Sequence, residues 1–293
     1  MRAADYHPIE ESLDFGSSGK VEVAELPDEP EMITSAPPAH PRTSKPRPAD
    51  PSSTPDEIEA KARFLLHSMG ADLNEPLSIR QTGDQIEITG VVSDAGRQQE
   101  LRDRLGALDH VAVHIQNAED LALQMPSQPV TRVGQSSGQN YDAPAKAWLE
   151  REFPDAANRE AFVHSALELT RGASARAYAL SQLANRYPET AFDSLTPAAK
   201  AQIASIVADL ADGIDEYTEA LRLHLAHLVI ASRVEPPHRS WQVAAAQCLT
   251  SVREVDETVI ALFAASPQPA GEFNSLLQRL RPQLSRVCGI RAE

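Results

Sequence analysis

Three side chains in the C-terminal half of the chain have types and spacing that could do chemistry. His224 and His227, in LRLHLAH, stand three apart on a helical pattern, and Cys248 follows in WQVAAAQCLTSVREV. Imidazole and thiolate are ligands for zinc, and if the segments carrying them fold back on one another Cys248 approaches His224. Such a site needs at least one more ligand. The plainer reading makes Cys248 a small hydrophobe in an apolar seam edged by the histidines, so no metal and no cofactor are expected. Cys288 lies near the tail, exposed, and 2 cysteines without paired spacing make neither a disulfide framework nor a zinc motif.

Other candidates carry less. His110 and His114 flank an alternating strand, where solvent-facing histidines are commoner than ligands. The stretch GASAR at Gly172 lacks the second glycine of a nucleophile elbow and has no strand before it. No phosphate-binding loop, dinucleotide fingerprint or paired-carboxylate motif occurs. No catalytic residue is therefore expected, and the chain reads as a protein that is not an enzyme. A net charge of -15 and a pI near 5.0 argue against nucleic acid as a partner, because that affinity rests on Lys and Arg displacing counterions. The start, MRAADYHPIEESLDF, has no basic segment followed by an apolar run, and no apolar stretch of membrane-spanning length follows it.

The elements that would position these residues fall into blocks. Residues 1–26 read as a β-hairpin, with Ile9, Leu13 and Phe15 on one side and Val21 and Val23 beyond a Gly16-Ser17-Ser18-Gly19 turn. A lone hairpin is marginal in water, which suggests a remnant of a longer domain. Residues 27–55 are proline-rich and polar, a disordered linker. Residues 121–143, rich in Gln, Ser and Gly, read as a second linker.

Between them, residues 56–120 read as a compact α-β-β-α-β unit. Thr54 or Ser53 caps a helix that Pro55 opens, with Ile58, Ala62, Leu65 and Met69 at helical spacing. Leu77 and Ile79 alternate, Gly83-Asp84 turns the chain, and Ile86, Ile88 and Val91-Val92 return. Gly83 and Gly90 serve the turn and a tight strand exit. Ser93-Asp94 caps a helix striped by Leu101, Leu105 and Leu108, whose other face carries Arg97, Glu100, Arg102, Asp103 and Arg104 in solvent. Val111, Val113 and Ile115 make the last strand. Two helices on one face of a three-stranded sheet form a two-layer α+β sandwich.

The run LSIRQTGDQIEITGVVSDAGRQQELRDRLGALDHVAVHIQNAED, with its Thr89-Gly90-Val91-Val92-Ser93 step and the Gly106 to Val111 link, resembles the BON domain. This small module belongs to bacterial envelope proteins, and the family's usual glycine before the last strand is Asp109-His110 here. The resemblance implies binding to a neighbouring protein or an anionic lipid surface, and it brings no catalytic residues with it.

Residues 144–293 read as an all-α bundle separate from that unit. A first segment divides into two helices near Gly172. Ile203, Val207, Leu210, Ile214, Tyr217 and Leu221 then step by four and three, continuing at Leu225 and Leu228. Trp241, Ala245, Cys248, Val252, Val255, Val259 and Leu262 keep the same rhythm. That repeat draws a narrow apolar seam on each helix, and the short link EPPHRS predicts an antiparallel helical hairpin. Phe273, Leu276, Leu277, Leu280 and Leu284 complete the bundle.

The expected function is a binding protein of the bacterial envelope or of signalling, the soluble part of a membrane-anchored regulator if the hairpin is a remnant. A cytoplasmic scaffold that forms a homodimer through the heptad helices is the alternative. A metal or thiol site at His224, His227 and Cys248 is the third reading.

Overall fold

The computed structural model describes residues 10–14, 20–24, 54–124, 143–231, 240–264, 272–285 and 288. It divides into two compact units, Met1–Pro46 and Arg47–Glu293. In the first, β1 (Glu10–Asp14) pairs antiparallel with β2 (Lys20–Ala24), and Leu13 stands opposite Val21. Ile9, Phe15 and the Gly16–Gly19 turn lie outside the described residues, as do residues 27–53 and 125–142 of the expected linkers.

The second unit begins with α1 (Pro55–Ser68). Thr54 caps it in a reciprocal box: its hydroxyl accepts from the Glu57 amide, and the Glu57 carboxylate accepts from the Thr54 amide. A four-residue α2 (Ala71–Asn74) follows. Then β3 (Leu77–Thr82) turns at Gly83, φ 66°, into β4 (Gln85–Val92). Only a residue at ease in the left-handed region fits that turn. Gly90 sits opposite Leu77, where any Cβ would run into the Pro76 carbonyl, so its role is close approach.

Asp94 caps α3 (Ala95–Leu105) by accepting from the Arg97 amide, which with the Ser93 hydroxyl bond holds its carboxyl below the usual value. The strand β5 (Val111–Asn117) returns parallel to β4, giving the order β3-β4-β5, one antiparallel and one parallel pairing. Ile58, Ala62, Leu66, Ile86, Ile88, Leu101, Leu105 and Ile115 fill the space between helices and sheet. The second linker does not begin at residue 121 as expected. Asn117 accepts from the Asp120 amide and starts α4 (Ala118–Gln124) there.

The helical array comprises α5 (Lys146–Glu152), α6 (Ala156–Arg186), α7 (Glu189–Ser194), α8 (Pro197–His224), α9 (Trp241–Phe263) and α10 (Glu272–Ser285). Three expectations are corrected here. Gly172 does not divide two helices, because α6 runs through it for 31 residues. The glycine is there for Tyr217 of α8, whose ring occupies the place a Cβ would take. Gly213 on α8 answers it by admitting Arg176, whose guanidinium lies over that ring at 4.6 Å from its centroid.

Second, α8 and α9 do not close as a hairpin on each other. Both pack on α6, which serves as the central helix, and α10 packs on α9. α8 ends at His224, so Leu225 and Leu228 lie in the turn beyond it, yet Leu225 is still buried. Besides the heptad positions α8 buries Ala199, Ile206 and Ala211, a stripe too wide for a two-helix seam. It has neighbours on two sides.

Third, the array is not separate from the α+β layer. The second neighbour of α8 is α1, whose Ala60 is buried in the core of the array with Phe64 packed beside it. α1 therefore has two apolar contacts, one with the sheet and one with the helices.

Candidate binding groove at the layer joint

Glu59, Arg63 and His67 recur every four residues on α1, on the side turned to the array. Glu59 is buried, and a buried carboxylate demands ionic partners. It has two: Arg63 donates from Nε at 2.8 Å, and Arg186, in the last turn of α6, donates from Nε at 2.8 Å. Arg186 also reaches Asp56 at 2.5 Å and the Gln81 side chain of β3 at 3.4 Å. Burial works against the charge of Arg186, but the bonds to Glu59 and Asp56 outweigh it and raise its pKa. Beside it Tyr187 is fully buried, its hydroxyl donating to the Asp56 carbonyl, and burial followed by the Glu59 charge pushes the phenol up.

His67 makes the second tie. Its Nδ1 meets Asp72 of α2 at 2.7 Å and its Nε2 meets Asp209 of α8 at 2.9 Å. The Asp72 hydrogen bond, opposed by burial and helped by the charges of both carboxylates, raises the imidazole pKa. As imidazolium, His67 donates from both nitrogens. Asp209 is 76% exposed, so the Asp72 arm is the stronger one. Asp72 keeps its other oxygen, Oδ1, buried without a partner.

Between these ties the layers stand apart, leaving a groove of about 710 Å³. Leu77, Ser78 and Ile79 of β3 form one wall and Ala175, Tyr178 and Ala179 of α6 the other, with Asp72 also on the lining. Three consecutive strand residues point to alternate faces, so a lining that includes all three is the edge of the strand. Among the described residues β3 has one strand partner, β4, and this edge is the other one.

The residues singled out by sequence lie elsewhere and apart. His224 stacks on Phe162 with centroids 4.3 Å apart and donates from Nε2 to the Phe162 carbonyl at 2.9 Å. His227 is exposed. Cys248 is bonded to Cys288, which is half-buried against the core of the array and not exposed as expected. A thiol tied in a disulfide supplies no thiolate to a metal. Among the described residues no group of three or more His, Cys, Asp or Glu side chains is placed to hold a metal ion.

His110 Nδ1 lies 3.8 Å from Asp84 and His114 Nε2 lies 3.9 Å from Glu87, so the two histidines have separate partners. Arg97 is engaged by Glu75 at 2.6 Å, by Glu100 and by the Met69 carbonyl, and Arg102 donates to the Ile115 carbonyl at 2.7 Å. Both hold the α+β layer together. Arg104 is exposed.

The pattern that leads to the groove, Glu59-x-x-x-Arg63-x-x-x-His67, is visible in sequence only as an ordinary wet helix face. The flanking Ala60 and Phe64 are the signal that this face is covered.

Comparison with protein-family models, with curated proteins and with solved structures finds no match to this chain.

Proposed function

We propose that this chain is the extracytoplasmic part of an envelope or signalling protein and that it works by binding another macromolecule, with no chemistry of its own. The observation that carries this reading is the Cys248–Cys288 disulfide, with Cα atoms 5.0 Å apart. Disulfides persist in oxidising compartments and are rare where thiols are kept reduced. The likeness of residues 77–120 to the BON module of envelope proteins supports binding to a protein or a lipid surface, and among the described residues no helix is long and apolar enough to cross a membrane. Burial of the α8 and α9 heptad positions against α6 within one chain favours a monomer over a dimer built on those seams.

The test is a thiol count. Protein taken from its native cells, with thiols blocked at lysis and then denatured without reductant, is predicted to carry no blocked cysteine and to gain two reactive thiols after reduction. Two blocked cysteines at lysis would place the chain in a reducing compartment and overturn the reading.

A further inference from the structure

We propose that the groove between β3 and α6 takes an extended, basic segment of a partner protein, which adds as a strand to the open edge of β3. The proposal names the partner chemistry of the binding reading above and rests on it. Four observations carry it.

The first is the strand edge itself. An edge strand offers a row of backbone N–H and C=O groups with no strand beyond it, and extended peptides bind such edges by main-chain hydrogen bonds. Natural proteins usually blunt or cover a free edge; here it opens into a groove.

The second is the opposite wall. Ala175 and Ala179 are small, and Tyr178 between them is 51% exposed, one of the few large hydrophobics left in solvent among the described residues. With Leu73, Leu77 and Ile79 across from it, the groove has apolar surface for every second side chain of an added strand.

The third is the Asp72 Oδ1 atom, buried and unpartnered on the lining. A buried acceptor left without a donor is costly, and a donor on an occupant would satisfy it.

The fourth is charge. Of the charged side chains on the lining, Arg63, Arg186 and Asp72, each has ionic partners, and the set as a whole is Asp56, Glu59, Asp72 and Asp209 against Arg63, Arg186 and the His67 imidazolium, an excess of one negative charge. The whole chain carries -15. Both fields draw a basic segment towards this site and repel an anionic lipid surface from it.

The experiment uses the full, disulfide-bonded chain. It is panned against a random dodecapeptide library, and a selected peptide is synthesised with a fluorescent label for anisotropy titration. Expected are basic, extended peptides with alternating apolar residues, bound at least tenfold more tightly than a control in which the basic residues are replaced by Glu. Ala175→Trp, which fills the groove from the exposed side of α6, should weaken binding at least tenfold. Tyr178→Ala provides a second variant, with melting temperature checked for each.

N-methylating the peptide amides one at a time should weaken binding at every second position and spare those between, a period that side-chain docking alone would not produce. The proposal is overturned if no peptide is selected, if the methylation pattern has no two-residue period, or if both variants bind as the wild type does. It is also overturned if the chain floats with phosphatidylglycerol vesicles and Ala175→Trp abolishes flotation, which would give the groove to lipid. None of these outcomes changes the thiol count, so this proposal can fail while the extracytoplasmic reading stands.

Discussion

Along α1, Ile58, Ala62 and Leu66 meet the sheet through hydrocarbon, whereas Ala60 and Phe64, on the side turned to the helical array, are bracketed by Glu59, Arg63 and His67 in ion pairs. The first contact depends on area and packing alone, and neither pH nor salt should move it much. The second depends on charges that were taken out of water, so it tolerates no missing partner and responds to protonation. The same helix thus belongs to a core on one side and to an adjustable joint on the other. The groove lies at that joint, bordered by residues of both layers.

The array and the α+β layer also differ in how they are tied. The array carries the Cys248–Cys288 bond across a separation of 40 residues, while the α+β layer folds from neighbours in sequence. Cys248→Ser with Cys288→Ser should therefore have the largest effect, a loss of about 4 kcal/mol for a loop of that size. Urea denaturation of wild type and double variant measures it, and equal midpoints would show that the tie adds nothing.

Next comes Arg186→Met, which leaves Glu59 with one cation where it had two. A loss of about 3 kcal/mol is expected, with an unchanged denaturant slope because the same surface is exposed on unfolding. An Ile88→Val change on the sheet side should cost only about 1 kcal/mol and be indifferent to pH. If Arg186→Met were the milder of the two, the ranking of joint over sheet would fail.

Gly172→Ala separates two readings of that glycine. A helix-breaking glycine would make alanine stabilising by about 1 kcal/mol. Because Tyr217 fills the space, alanine should destabilise by about 2 kcal/mol through overpacking, and Tyr217→Ala in the same chain should recover part of the loss.

The smallest effect is the pH response of His67. Its folded pKa is raised, so the stabilisation is fully present below the unfolded value of about 6.5 and is lost as pH rises through the higher folded value. Wild type should lose about 1 kcal/mol more than His67→Gln between those limits, read from urea midpoints at pH 5.5 and pH 8.5. Identical pH profiles would remove His67 from the joint.

These contrasts follow what the sequence could express. The α+β layer was legible because its signals are local: the Thr54 and Asp94 caps, the Gly83 turn and the alternation of Ile86 and Ile88 each act within a few residues. The heptad positions of α9 were legible as buried, and all are. What they pack against was not, since a stripe names no neighbour, and α6 rather than α8 supplies it. Glu59 looked like any solvated acid until α6 brought Arg186 to it from 127 positions away. Gly172 and Tyr217 likewise explain each other only once two distant helices cross. The pairing of Cys248 with Cys288 left no mark in spacing, which is why His224 and His227 were weighed as its companions.

Through its two apolar contacts α1 makes the α+β layer and the helical array one cooperative unit. Native-state hydrogen exchange on the full chain tests it most directly, by comparing the slowest amides of β4 with those of α8 as urea is raised. Both sets should converge on one opening free energy and one urea slope, and Arg186→Met should lower both together. Separate free energies, with the β4 amides untouched by Arg186→Met, would contradict it.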